Sequence, residues 1–208
     1  EPPPDDLIPS LLATSDVLGT GWYAADAARV RPGVTVVVVG DGAVGLMGVL
    51  AAKQMGAGRI IAMSRHKTRQ DLALEFGATD IVTERGDAGV AHIKRLTNDV
   101  GAESVLECVG MKESMFQALG CARPGGSIGY VGVHHGVEFD GEQLFLAQKD
   151  MLGGPAPVRR FLPHLMDLVL QRKIDPGKVF DLQLPLADVA EGYRAMDERR
   201  AIKTLLRV

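Results

Sequence analysis

Cysteine is scarce in this 208-residue sequence: Cys108 and Cys121 are its two examples, and they form no C-x-x-C pair. A disulfide framework is thereby excluded, and the usage fits a reducing, cytoplasmic compartment. Five histidines (His66, His92, His134, His135 and His164) include no H-x-x-x-H pair. A complete metal site built by this chain alone is therefore not expected. Long apolar runs are also missing, which argues against a transmembrane helix and a membrane partner. Positive charge is not in excess, since 23 Lys and Arg stand against 26 Asp and Glu for a net charge of −3. That balance argues against non-specific nucleic-acid binding, which needs a strongly basic face. The leader EPPPDD is acidic and Pro-rich, the opposite of a signal peptide, and it begins without Met. The expectation is a piece of a longer chain. No internal repeat and no further low-complexity segment is present.

What remains is ordinary globular material, 46% hydrophobic and 24% charged, enough for one domain or one domain plus part of another. Apolar residues at helical spacing predict a helical leading segment over 7–30, broken by Pro32 and Gly33. Thr35–Val39 is β-branched and continuously apolar, as a strand buried on both faces of a parallel sheet would be. Short strands then alternate with helices: helix 44–55, strand 59–63, helix 68–76, strand 80–82, helix 90–96, strand 104–108, helix 112–119, a PGG turn, and strand 127–131. That rhythm means right-handed βαβ crossovers and a doubly wound α/β sheet. Past Gly132 the rhythm changes. MLGGPAPVR predicts a sixth strand and a turn, and 158–171 a helix. VFDLQLPL, AEGYRAMDE and IKTLLRV read as strand, helix and strand, a tail too small to bury its own core. It must dock on the sheet or complete another domain.

Within VVVVGDGAVG the spacing G-x-G-x-x-G links the first predicted strand to a helix, the context of a Rossmann dinucleotide-binding loop. Gly40 permits the tight turn, Gly42 lets backbone approach a pyrophosphate, and Gly45 allows close helix–sheet packing. Ala43 and Val44 open the helix, whose free N–H groups and positive dipole end face the phosphates. Asp41 inside this loop is expected to point to solvent. An NAD-binding chain should carry an acid at the end of the second strand. Here RIIAM is followed by Ser64, Arg65, His66 and Lys67, with no carboxylate in that place. Ser64 and Arg65 suit a 2′-phosphate, with Lys67 and Arg69 adding field. NADP is accordingly preferred over NAD; the rival reading is a solvated basic turn opening a helix.

The stretches SDVLGTGWYAA, RPGVTVVVVGDGAVGLMGVLAAKQMGAGRIIAM, FGATDIV, LECVG, PGGSIGYVGV and AIKTLLRV are spread along the chain between Leu11 and Val208. In this order and spacing the sequence resembles the medium-chain dehydrogenase/reductase family, zinc-dependent alcohol dehydrogenase branch. The resemblance implies a six-stranded sheet, a cofactor-binding portion, and a tail that returns to complete a GroES-like catalytic domain not contained here. It divides the chain into a leading segment (1–13), a dinucleotide-binding domain (14–157) and a C-terminal helix with returning segment (158–208).

Residue by residue, the resemblance makes Asp16 a zinc ligand, its other partners lying outside this chain; the local alternative is a helix cap. Thr20 would pack near the nicotinamide, with Gly21 beside it. Val44 would back the cofactor or simply fill the core. Cys108, Val109 and Gly110 after the fourth strand would meet the adenosine ribose, and Val131, Gly132 and Val133 after the fifth the nicotinamide ribose. Cys108 itself reads as an inert hydrophobe rather than a nucleophile. Lys203 would reach the pyrophosphate or lie on the surface, and His134 and His135 would relay protons or belong to a plain loop. The implied activity is hydride transfer between NADP(H) and an alcohol or carbonyl substrate, with zinc in the intact enzyme and this chain silent alone. Homodimerisation through an edge strand near Met151–Gly154 is implied as well. Two alternatives stay open: a zinc-free quinone or enoyl reductase of the same superfamily, and a non-catalytic dinucleotide-binding module.

Overall fold

The computed structural model describes residues 2–208. Six parallel strands form one sheet: β1 (Thr35–Val39), β2 (Arg59–Met63), β3 (Asp80–Val82), β4 (Ala102–Glu107), β5 (Ala122–Tyr130) and β6 (Asp150–Gly153), in the order β3-β2-β1-β4-β5-β6. This is a Rossmann-like doubly wound sheet. The strand order reverses between β1 and β4, and the crevice at that switch point is where such sheets bind ligands.

Consecutive valines in β1 follow from its central place. Val36 and Val38 enter a core shared with the helices α2 (Val17–Ala27), α3 (Ala43–Gln54) and α8 (Val158–Leu170). Val37 and Val39 point the other way, into a core with Ile61, Val105 and Ile128 under α5 (Gly86–Leu96) and α6 (Lys112–Cys121). Side chains alternate across a strand, so a strand covered on both faces must be apolar at every position. α2 and α3 cross at backbone distance, because a Cβ on Gly21 would stand 2.6 Å from the Gly48 nitrogen. Gly21 is thus a packing residue of this crossing.

The sequence and the structure differ in three places. The leading segment is not one helix: a 3-10 turn at Asp5–Leu7 runs into α1 (Ile8–Thr14), and the chain breaks at Ser15 and Asp16 before α2. The PGG turn lies inside β5 rather than before it; Gly125 takes φ +70, and the register with β4 shifts there. Between β5 and β6 a helix, α7 (Gly141–Ala147), stands where no element was expected. α4 (Lys67–Glu75) occupies its expected position.

The tail forms a separate two-stranded parallel sheet from β7 (Leu182–Pro185) and β8 (Thr204–Arg207), bridged by α9 (Val189–Asp197). It does not bury a core of its own. Val179, Phe180 and Leu205 join the core that Val36 and Val38 serve, which docks the tail against the larger sheet.

Candidate functional site: a cleft at the carboxyl ends of β1, β4 and β5

The glycine loop carries the geometry its spacing demands. Gly40 has φ +117, a conformation that side chains other than hydrogen disfavour. A Cβ on Gly45 would stand 2.0 Å from the Gly40 oxygen, so the helix start folds back onto the loop. Gly42 caps α3 with extended backbone, and a Cβ there would meet nothing within 4 Å. That open space lies directly before the free N–H groups of α3, an anion-binding position. Val44 is half-buried and packs on the apolar core behind the loop.

One cavity adjoins this loop, and a second lies along the loop after β5. The first, of about 810 Å³, is lined by Gly40, Gly42, Cys108 and Val109 together with Arg69, Arg85 and Arg199. The other, of about 690 Å³, is lined by Thr20, Val131, Gly132, Val133, His134 and Met151. The residues after β4 and those after β5, separated by about twenty positions in sequence, thus line two neighbouring cavities. Gly110 lies between them with φ +88, where a Cβ would stand 2.8 Å from the Val133 nitrogen.

Asp41 corrects the sequence reading. It is 9% exposed and faces inward. Its Oδ2 accepts a hydrogen bond from Ser64 Oγ at 2.7 Å, and its Oδ1 lies 3.2 Å from Arg69 Nη1. A carboxylate therefore does stand beside Ser64, delivered by the glycine loop and not by the end of β2. Arg69 is likewise neutralised, pairing with Asp41 and donating to the Ala201 oxygen at 3.4 Å. Lys67 is exposed and pairs with Asp71 one turn along α4.

The free cationic character comes from elsewhere. Arg85 caps α5, and Arg199, with φ 61, follows α9. Burial and the neighbouring charges of Arg65 and Arg199 hold Arg85 below the usual guanidinium range, while Asp41 partly offsets them. Three guanidinium groups (Arg69, Arg85 and Arg199) thus line this end of the cleft, with Arg65 near enough to act on the charge of Arg85, against Asp41 and, on the α6 wall, Glu113. Arg85 and Arg199 were not singled out from sequence. The available signal was position: Arg85 follows the third strand as Arg65 follows the second.

Asp16 sits at the N-cap position of α2, exposed, and its side chain makes no capping hydrogen bond. Its backbone oxygen instead accepts from Thr20 Oγ1 at 2.9 Å. The carboxylate makes no hydrogen bond to the helix, while its N-cap place keeps it beside the positive end of the α2 dipole. Among the described residues no group of three or more His, Cys, Asp and Glu stands close enough to hold a metal ion. Lys203 is half-buried, with its backbone N–H 3.3 Å from Asp181 Oδ1; from the tail, Met196, Arg199 and Ile202 line the cleft. His135 is exposed. The Cys108 thiol is raised well above the usual range by burial and by the charge of Glu107, and that of Cys121 is pushed up to about 12, mainly by burial. Neither is a thiolate nucleophile at neutral pH.

Comparison with known proteins places this cleft in a family. The zinc-binding dehydrogenase family model matches residues 43–170. A probable zinc-binding alcohol dehydrogenase of Mycobacterium tuberculosis is 37% identical over 88% of this chain and 47% of its own length. The NADP-dependent isopropanol dehydrogenase of Clostridium beijerinckii is 32% identical over 85% of this chain and 52% of its own. Among solved structures, the alcohol dehydrogenase TADH from Thermus sp. ATN1 superposes with a TM-score of 0.90 at 31% identity, covering all of this chain and 61% of that one. The chain spans about half the length of the curated relatives it matches. It belongs to the zinc-binding dehydrogenase family.

Proposed function

We propose that this chain binds NADP(H) and forms the cofactor-binding portion of an oxidoreductase that moves a hydride between nicotinamide and an alcohol or carbonyl substrate. The observation that carries the reading is the open space at Gly42, before the α3 N-terminus and beside the arginine cluster. A pyrophosphate there meets backbone N–H groups and the helix dipole. The adenosine half then lies in the Cys108–Val109 cavity and the nicotinamide half against Thr20 and Val131–Val133. A 2′-phosphate is favoured because guanidinium groups outnumber carboxylates at the adenosine end. Asp41 accepts the hydroxyl hydrogen bond of Ser64 and pairs with Arg69, so neither of those side chains is free to donate to the phosphate, and Arg65, Arg85 and Arg199 are left to bind it. The relatives named NADP-dependent isopropanol dehydrogenases agree with this preference.

Bound zinc supplies a Lewis acid for an alcohol or carbonyl oxygen. Of the residues here, Asp16 has the chemistry to contribute one ligand, being an exposed carboxylate whose side chain makes no capping hydrogen bond. The remaining ligands and most of the substrate pocket are then supplied from outside this chain. β6 is the outer strand of the sheet with Leu152 exposed, and pairing with a second copy would cover that edge. Two free thiols suit a reducing, cytoplasmic setting.

The test is an assay of the full-length gene product. Expected are NADP⁺-dependent oxidation of a secondary alcohol and bound zinc, with Asp16→Ala lowering the zinc content and the rate together. Zinc-independent reduction of an enone, indifferent to Asp16→Ala, would contradict the alcohol dehydrogenase reading.

A further inference from the structure

Glu107 ends β4 with no exposed surface. A buried carboxylate is costly unless its lone pairs are filled. One oxygen is well served: Oε1 accepts from the N–H groups of Val109 and Gly110, each at 3.0 Å, and from Ser114 Oγ at 2.6 Å. These bonds fix the turn that floors the adenosine-side cavity. The other oxygen differs. Oε2 stands 2.9 Å from His134 Nε2, yet the two are out of line for a hydrogen bond, and neither atom has another partner among the described residues.

His134 belongs to the loop after β5, on the nicotinamide side. Its side chain is 11% exposed, and its ring meets Tyr130 edge-on with centroids 5.5 Å apart. The two loops also touch through backbone, since a Cβ on Gly132 would stand 2.2 Å from the Gly110 nitrogen. One carboxylate therefore spans the wall between the cavities. Its first oxygen serves the adenosine-side turn, and its second faces a histidine of the nicotinamide-side loop.

The geometry points to Glu107 and His134 as a latch that couples the two halves of the cofactor site. A nicotinamide seated against Val131–Val133 turns His134 into line with Glu107 Oε2, and the completed hydrogen bond holds both loops in the bound arrangement. The two atoms already stand at hydrogen-bond distance, so a turn of the ring alone completes the bond. The inference rests on the dinucleotide reading above. Both residues are positioning residues, acting on the loops and not on the reacting atoms.

The experiment is calorimetry with NADPH and with adenosine 2′,5′-bisphosphate, which carries only the adenosine half. The proteins compared are wild type, His134→Phe, Glu107→Gln and the double variant. His134→Phe is expected to bind the bisphosphate as wild type does, which also shows that it is folded, and to lose about tenfold in NADPH affinity. In the Glu107→Gln background the same substitution is expected to cost clearly less, because the charged partner of His134 is already gone. Histidine ring NMR of wild type gives a second readout: the His134 Nε2 resonance shifts with NADPH and not with the bisphosphate. Unchanged NADPH affinity in His134→Phe, additive losses, or a His134 resonance indifferent to NADPH overturns the latch and leaves the dinucleotide reading standing. No NADPH binding by folded wild type overturns both.

Discussion

Arg69 Nη1 lies 3.2 Å from Asp41 Oδ1, and each side chain is only 10% exposed. This ion pair joins α4 to the glycine loop, and through the Ala201 carbonyl it also holds the tail against the cleft. Removing one partner leaves the other charge buried and uncompensated. Arg69→Leu is therefore expected to lower stability by about 3 kcal/mol. Adding Asp41→Asn should recover part of that loss. Urea unfolding of the single and double variants checks both statements.

Gly42 and Gly45 separate binding from folding. A Cβ at Gly45 would collide with the Gly40 oxygen, whereas one at Gly42 would enter open space at an ordinary φ of −74. Gly45→Ala is expected to destabilise the fold by about 1–3 kcal/mol, the usual range for overpacking. Gly42→Ala should stay within about 1 kcal/mol of wild type, since only the capping preference of the residue changes. It should nonetheless weaken NADPH binding at least about tenfold, because the methyl group occupies the pyrophosphate position. Thermal unfolding and calorimetry on the two variants test the separation.

Acid sensitivity has an identifiable contributor. Arg59 grips Asp80 through two hydrogen bonds, of 2.9 and 2.6 Å, linking β2 to β3. That grip lowers the Asp80 carboxyl below its ordinary value of 3.8. The folded state therefore releases this proton more readily than the unfolded chain. The resulting stability is present above about pH 4 and is lost as pH falls through the lowered value. Urea midpoints measured from pH 6 down to pH 3 should fall, and Asp80→Asn should flatten the lower part of that profile.

Arg85 is the residue expected to distinguish the two cofactors. It lines the adenosine cavity beside Arg65 and Arg199, where the 2′-phosphate of NADPH would add charge-assisted hydrogen bonds. Arg85→Ala is expected to weaken NADPH binding about tenfold and to leave NADH binding within about twofold. The loss should shrink at high salt, as screening reduces the contribution of exposed charge. Titration of both cofactors at two ionic strengths checks the difference.

Periodicity carried most of the fold. The β1 valines and the glycines after them announce a strand covered on both faces and a turn into a helix, because burial on both faces requires the first and backbone sterics the second. α7 escaped because GEQLFLA is short and leaves Phe145 and Leu146 exposed, so no buried stripe marks it. At the site, the residues following each strand were readable by position. The inward turn of Asp41 was not, since nothing in GDG says that Arg69, twenty-eight positions on, comes round to meet it. Glu107 was hidden for the same reason: it lies inside LECVG, and its partner His134 comes from the loop after another strand. Contacts between distant loops are set by the packing of the sheet, and local pattern does not encode them.

The central claim is that the cleft holds a dinucleotide and prefers the one bearing a 2′-phosphate. Its most direct measurement is calorimetric titration of the folded wild-type protein with NADPH and with NADH under identical salt and pH. NADPH is expected to bind at least about tenfold more tightly, as added charge-assisted hydrogen bonds to the 2′-phosphate require. Equal or tighter binding of NADH would contradict the 2′-phosphate assignment, and binding of neither would contradict the dinucleotide site itself.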